Sequence, residues 1–102
     1  MAVDTLKTFR DVDPEFNKVF NEARTLVFSE GALSVKTKNL IAMAIDATHG
    51  AVGGVTSLAQ RAMKLGATKE EIVETLRVAY HIGGAGTVYT SARALSTIFA
   101  EK

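Results

Sequence analysis

Apolar residues in this chain recur at intervals of three and four, and nowhere do they alternate over a run long enough to make a strand. That periodicity commits the sequence to helices packed on helices. Phe16, Val19, Phe20, Ala23 and Leu26 or Val27 form one stripe, and Val55, Leu58, Ala59, Ala62, Met63 and Leu65 form another. Ile72, Val73, Leu76, Ala79 and Tyr80 or Ile82 give a third, and Val88, Tyr89, Ala92, Leu95, Ile98 and Phe99 a fourth. From Leu40 to Ala47 the chain is apolar on nearly every side except at Asp46, as expected of a buried central helix. Met43 and Met63 read as gap-filling core.

Local signals divide these stripes. Asp13-Pro14-Glu15 opens the first helix with a cap, a proline at the first helical position and a carboxylate at the positive end of the dipole. Ser29-Glu30-Gly31 stops it, and Ser34 is the next cap. The run His49-Gly50-Ala51-Val52-Gly53-Gly54 is too rich in glycine for a comfortable helix interior and marks a break or tight junction. Gly66 sits where a left-handed C-cap belongs. Thr68-Lys69-Glu70-Glu71 is a capping box. Gly83-Gly84-Ala85-Gly86 separates the last two helices; with no strand before it and no Lys-Ser/Thr after it, it is a bend and not a phosphate loop. The expected fold is an all-α helical bundle of five to six helices, a single domain spanning residues 1–102.

Charge and composition narrow the function classes. Twelve basic and eleven acidic residues nearly cancel and form no block, which argues against nucleic acid or an anionic membrane as partner. No apolar run is long enough to span a bilayer, and the first residues lack the apolar core of a signal peptide, so a cytoplasmic address is expected. The chain contains no cysteine, which removes disulfides, zinc–thiolate sites and thiol chemistry from its side chains. Asp46 lies three residues before His49, but the pair lacks the further ligands of a metal site. No metal and no cofactor are expected. Lys36, Lys38, Arg61, Lys64 and Lys69 read as solvated faces.

Three stretches resemble the carboxymuconolactone decarboxylase and alkylhydroperoxidase D family. Leu33 to Ala44 is similar to the start of the family's domain. Ala62 to Glu74 is similar to its alanine, glycine and capped helix opening with paired glutamates, and Val78 to Tyr89 resembles its glycine-rich bend before a tyrosine-bearing helix. Together these cover roughly residues 5–95. The resemblance implies an alkylhydroperoxidase D-like helical bundle that assembles as a homotrimer or homohexamer.

In the peroxidase branch of that family a glutamate precedes a Cys-x-x-Cys pair, and a histidine follows the second cysteine by four residues. The thiolate attacks the peroxide and the second thiol resolves the intermediate. Counting back from Gly66, the resemblance puts the histidine position on Leu58, the cysteine positions on Gly54 and Ala51, and the glutamate position on Asn39. All four are replaced, so thiol peroxidase chemistry is excluded. The decarboxylase branch resembles the peroxidase branch in keeping the histidine, with a glutamate one turn before it. Those positions are Leu58 and Gly54, neither of which moves a proton.

Two function classes remain open. The first is a non-redox oligomeric member whose remodelled pocket, around Asn39, Ala51, Gly54 and Leu58, binds a small apolar or acidic ligand or has only a structural role. The second is an enzyme on a small organic acid or lactone that uses His49 or His81 as proton-transfer group. Tyr80 could offer its hydroxyl to a ligand. Against these stand a helix C-terminal role for His49, a core or interface role for His81, and a core role for Tyr80. An imidazole enclosed in a cavity would favour the enzyme, and two solvent-facing imidazoles would weigh against it.

Overall fold

A computed structural model of the chain describes residues 5–100; residues 1–4 and 101–102, which belong to the expected single domain, lie outside the described residues. Among the described residues six helices follow one another: α1 (Thr5–Val12), α2 (Pro14–Val27), α3 (Val35–Thr48), α4 (Val52–Lys64), α5 (Lys69–Gly83) and α6 (Ala85–Ile98). No strand occurs among the described residues. The fold is the all-α bundle that the periodicity requires.

The helix ends follow from side-chain chemistry. Asp13 Oδ1 accepts the Phe16 amide at 3.1 Å with Pro14 in the first turn, and Ser34 Oγ accepts the Thr37 amide at 3.1 Å. At the start of α5 the capping box closes both ways. The Glu71 amide donates to Thr68 Oγ1 at 3.1 Å, and the Thr68 amide donates to Glu71 Oε1 at 2.9 Å. Gly66 and Gly84 have φ of 102° and 85°, the left-handed region where a Cβ is strained, so each ends a helix. Gly84 alone separates α5 from α6.

The core lies behind α3, which packs on α4, α5 and α6. Met43, Ala47, Val55, Ala59, Ile72, Leu76, Ala79 and Ala94 are buried there. α1 and α2 form a hairpin that packs on itself, with Phe9 edge-on to Phe16 at 5.6 Å and to Phe20 at 6.3 Å between ring centroids. It touches the four-helix unit only marginally, and α2 buries no residue.

Several sequence expectations shift. α1, with no stripe of its own in the sequence reading, is a separate helix ahead of the Asp13 cap. The glycine-rich junction is shorter than expected: α3 runs to Thr48 and α4 begins at Val52, so Gly53 and Gly54 lie in the first turn of α4. α3 is central but not buried on every side, since Ile41 and Ile45 are 44% and 51% exposed. Met43 is core, whereas Met63 is exposed. α6 turns Thr87, Thr90, Ser91 and Ala94 inward and leaves Val88 and Tyr89 outside. Small side chains let α6 approach α3 and α4 closely, and the larger apolar ones go where there is room. Lys36 is not a free surface charge, because its Nζ lies 3.1 Å from Glu71 Oε2, and Lys69 Nζ lies 5.2 Å from the centre of the Phe99 ring.

Candidate functional site

Of the four positions that the resemblance marks, two face a common space and two do not. Asn39 is fully buried on α3; its Nδ2 donates to the Val35 carbonyl at 2.9 Å, while its Oδ1 has no partner among the described residues. An unpaired buried acceptor costs on the order of 1–3 kcal/mol. Ala51 is the residue before α4, and its amide donates to the Asp46 carbonyl at 3.0 Å, closing the end of α3 onto the start of α4. Gly54 and Leu58 lie one turn apart on α4 and line an open cavity of about 570 Å³.

That cavity sits between the hairpin and the facing sides of α3 and α4. Leu6, Phe28, Ala42 and Leu58 supply apolar wall, and Arg24, Asp46, Ser57 and Arg61 supply polar groups. Three helices therefore contribute one charge each: α2 gives Arg24, α3 gives Asp46, and α4 gives Arg61. A volume of this size, with a mostly apolar lining and a few polar side chains, falls within the range of small-molecule sites.

Asp46 is placed by Gly54. A Cβ built on Gly54 would fall onto the Asp46 carboxylate, with Oδ2 closest and Cγ at 2.9 Å. The missing side chain is the room that the carboxylate occupies. Neither Asp46 nor the two arginines has an ion pair or side-chain hydrogen bond among the described residues. Half-buried Asp46 and Arg24 are thus held in one cavity with their polar ends unmatched.

The remaining candidates stand apart. His49 is the C-cap of α3 and is exposed; His81 lies in the last turn of α5 and is exposed. Neither lines the cavity, and the chain encloses neither imidazole. Tyr80 is half-buried against the core and also lies outside the cavity. Among the described residues no three His, Asp or Glu side chains converge as a metal site would require. Nothing in the sequence marks Arg24 and Ser57 for the site, and Arg61, expected on a solvated face, is exposed while also lining the open cavity. Asp46 carried one signal, being the lone charge in the apolar run from Leu40 to Ala47.

Residues 14–97 match the model of the carboxymuconolactone decarboxylase family. The chain belongs to the carboxymuconolactone decarboxylase family. It is 31% identical over 80 residues to the uncharacterized protein MJ1511 of Methanocaldococcus jannaschii, an alignment covering 78% of this chain and 75% of that protein. In three dimensions it is similar to the crystal structure of apo-lpg0406, a carboxymuconolactone decarboxylase family protein from Legionella pneumophila. The superposition has a TM-score of 0.86 at 36% identity and covers 93% of this chain and 85% of the other.

Proposed function

We propose that this carboxymuconolactone decarboxylase family member is a non-redox homo-oligomer, a trimer or hexamer, that binds a small ligand in the cavity beside Gly54 and Leu58. The observation that carries the reading is the state of that site. Two positions where the family resemblance puts redox residues now hold a glycine and a leucine, yet they line an open cavity with three charges that have no ion pair among the described residues. A site that had merely filled in would leave no such volume. The absence of any cysteine supports a role outside thiol redox chemistry. A cytoplasmic location belongs to the same reading.

Assembly is supported by what the single chain leaves uncovered. Phe16, Val19, Leu26 and Val27 on the hairpin are 53–75% exposed, beside Ile41 and Ile45 on α3. Val78, Ile82 and Tyr89 on α5 and α6 are 66–79% exposed. Soluble monomers seldom carry contiguous apolar surface on this scale, and a closed ring of identical copies covers it without generating an open filament. Light scattering at micromolar concentration should return three or six times the 10.9 kDa of the chain. A monomer mass would overturn the reading. The alternative, an enzyme working through His49 or His81, finds less support because both imidazoles face outward in the chain.

A further inference from the structure

The charges of the cavity define the chemistry it would take. Two guanidiniums and one carboxylate leave a net charge of +1 within it, and a monoanion neutralises that excess where a neutral molecule or a cation does not. Guanidinium is a planar donor suited to carboxylate, so half-buried Arg24 on α2 and exposed Arg61 on α4 are the groups of this cavity that an anion would meet. Asp46 cannot serve the same end of the ligand, since one carboxylate repels another. Ionised, it only accepts hydrogen bonds, so its match is a hydroxyl donor carried elsewhere on the same molecule. The body of the ligand then lies on the apolar wall of Phe28 and Leu58.

We propose that this cavity is a binding site for a small hydroxy-carboxylate, with Arg24 and Arg61 holding the carboxylate and Asp46 accepting the hydroxyl. The assignment rests on the cavity being a ligand site, as proposed above, and adds the ligand's class and the side chains that select it. Gly54 is the positioning residue. It touches no ligand group through a side chain, but its lack of Cβ lets the Asp46 carboxylate lie against the α4 backbone at the place where Asp46 lines the cavity. The position where the family resemblance puts a cysteine has, in this reading, passed its place to a carboxylate from the neighbouring helix.

The test uses mandelate, which carries a carboxylate, a hydroxyl and an apolar ring, against phenylacetate, which lacks the hydroxyl, and mandelamide, which lacks the negative charge. Calorimetric titration of the intact protein should show saturable mandelate binding, phenylacetate weaker by about tenfold, and no measurable mandelamide binding. Arg24→Gln and Arg61→Gln should each weaken mandelate by at least about tenfold with unchanged helix content. Asp46→Ala should bring mandelate and phenylacetate together, lowering the first and raising the second, because the acceptor and the repulsive charge leave at once. Gly54→Ala should narrow the gap in the same direction while leaving the arginine dependence intact, a pattern that a purely structural role for Gly54 would not produce. Failure of mandelate to bind, equal binding of mandelate and phenylacetate to the unaltered protein, or indifference to both arginine substitutions overturns the proposal. Light scattering on the same samples separates the two readings: an oligomer that ignores mandelate sinks this inference alone, whereas a monomer sinks the proposed function.

Discussion

Lys36 Nζ meets Glu71 Oε2 at 3.1 Å, so one carboxylate ties α3 to α5 with one oxygen and caps α5 with the other. The hydrogen bond from the Thr68 backbone, followed by that from Lys36, holds the Glu71 pKa below its ordinary value of 4.5. A group whose folded pKa is depressed contributes stability above its unfolded pKa, and that contribution is lost as pH falls through the folded value. Glu71→Ala should therefore lower the melting temperature at pH 7, and the gap to the unaltered protein should narrow as pH falls below 4.5 and through the depressed folded value. A gap that persists undiminished at pH 3 would show that the carboxylate charge is not involved.

Thr68→Ala removes the other half of the same box. It should destabilise by about 1 kcal/mol in urea unfolding at neutral pH, within the range for lost N-caps. Glu71→Ala and Thr68→Ala combined should cost less than the sum of the two, since each breaks part of one reciprocal unit.

Two glycines near the α5–α6 corner should respond with opposite sign to the same substitution. A Cβ on Gly83 would fall on Thr87 Oγ1 and lie 2.9 Å from Thr48 Cγ2, whereas a Cβ on Gly86 has nothing within 4 Å. Gly86→Ala should stabilise by about 0.5–1 kcal/mol through the unfolded chain's lost freedom. Gly83→Ala should destabilise by about 1 kcal/mol or more as the buried Thr87 is forced aside. Chemical denaturation of both variants measures the contrast, and equal effects would refute the packing of Gly83 on Thr87.

Core and hairpin substitutions should separate folding from assembly. Leu76→Ala empties a fully buried site and should cost about 2–5 kcal/mol of unfolding free energy. Phe16→Ala removes a ring that is 53% exposed. Its effect should show as a lower mass by light scattering with helix content largely kept. A Phe16→Ala protein that keeps its mass would remove the hairpin from the contact surface.

Rebuilding the thiol pair tests how Asp46 sits. Ala51→Cys with Gly54→Cys should oxidise poorly, because the new side chain at position 54 competes with the Asp46 carboxylate for one place. Adding Asp46→Ala should let the pair close, read as loss of free thiol after mild oxidant. Thiols that stay free in both proteins would show that positions 51 and 54 are not the positions the family resemblance implies.

The caps were legible in the sequence because they are local: Asp13, Ser34 and Thr68 each act within three residues of themselves. α1 was not, because its stripe of Leu6, Phe9 and Val12 runs over only eight residues, shorter than the span in which helical periodicity stands out. The inward face of α6 was misread for a different reason. Close helix packing selects Thr87, Ser91 and Ala94 by size, and hydrophobic periodicity follows polarity alone. The cavity was hidden because residues 24, 46 and 61 share no local pattern, and only the packing of three helices brings them together. Gly54 announced itself as a helix breaker, yet it lies within a helix and yields its space to a carboxylate eight residues earlier.

The hairpin α1–α2 owes almost nothing to the four helices behind it. Substitutions at Val19, Leu26 or Val27 leave the buried side chains of α3 to α6 undisturbed, so selection on stability scarcely sees them. Such a segment can drift quickly while the rest of the fold changes slowly, and if it is the contact surface of the proposed oligomer its drift changes which copies fit together. Where duplicated genes of this kind are expressed in one cell, divergence in a handful of hairpin residues would be enough to keep their products from mixing.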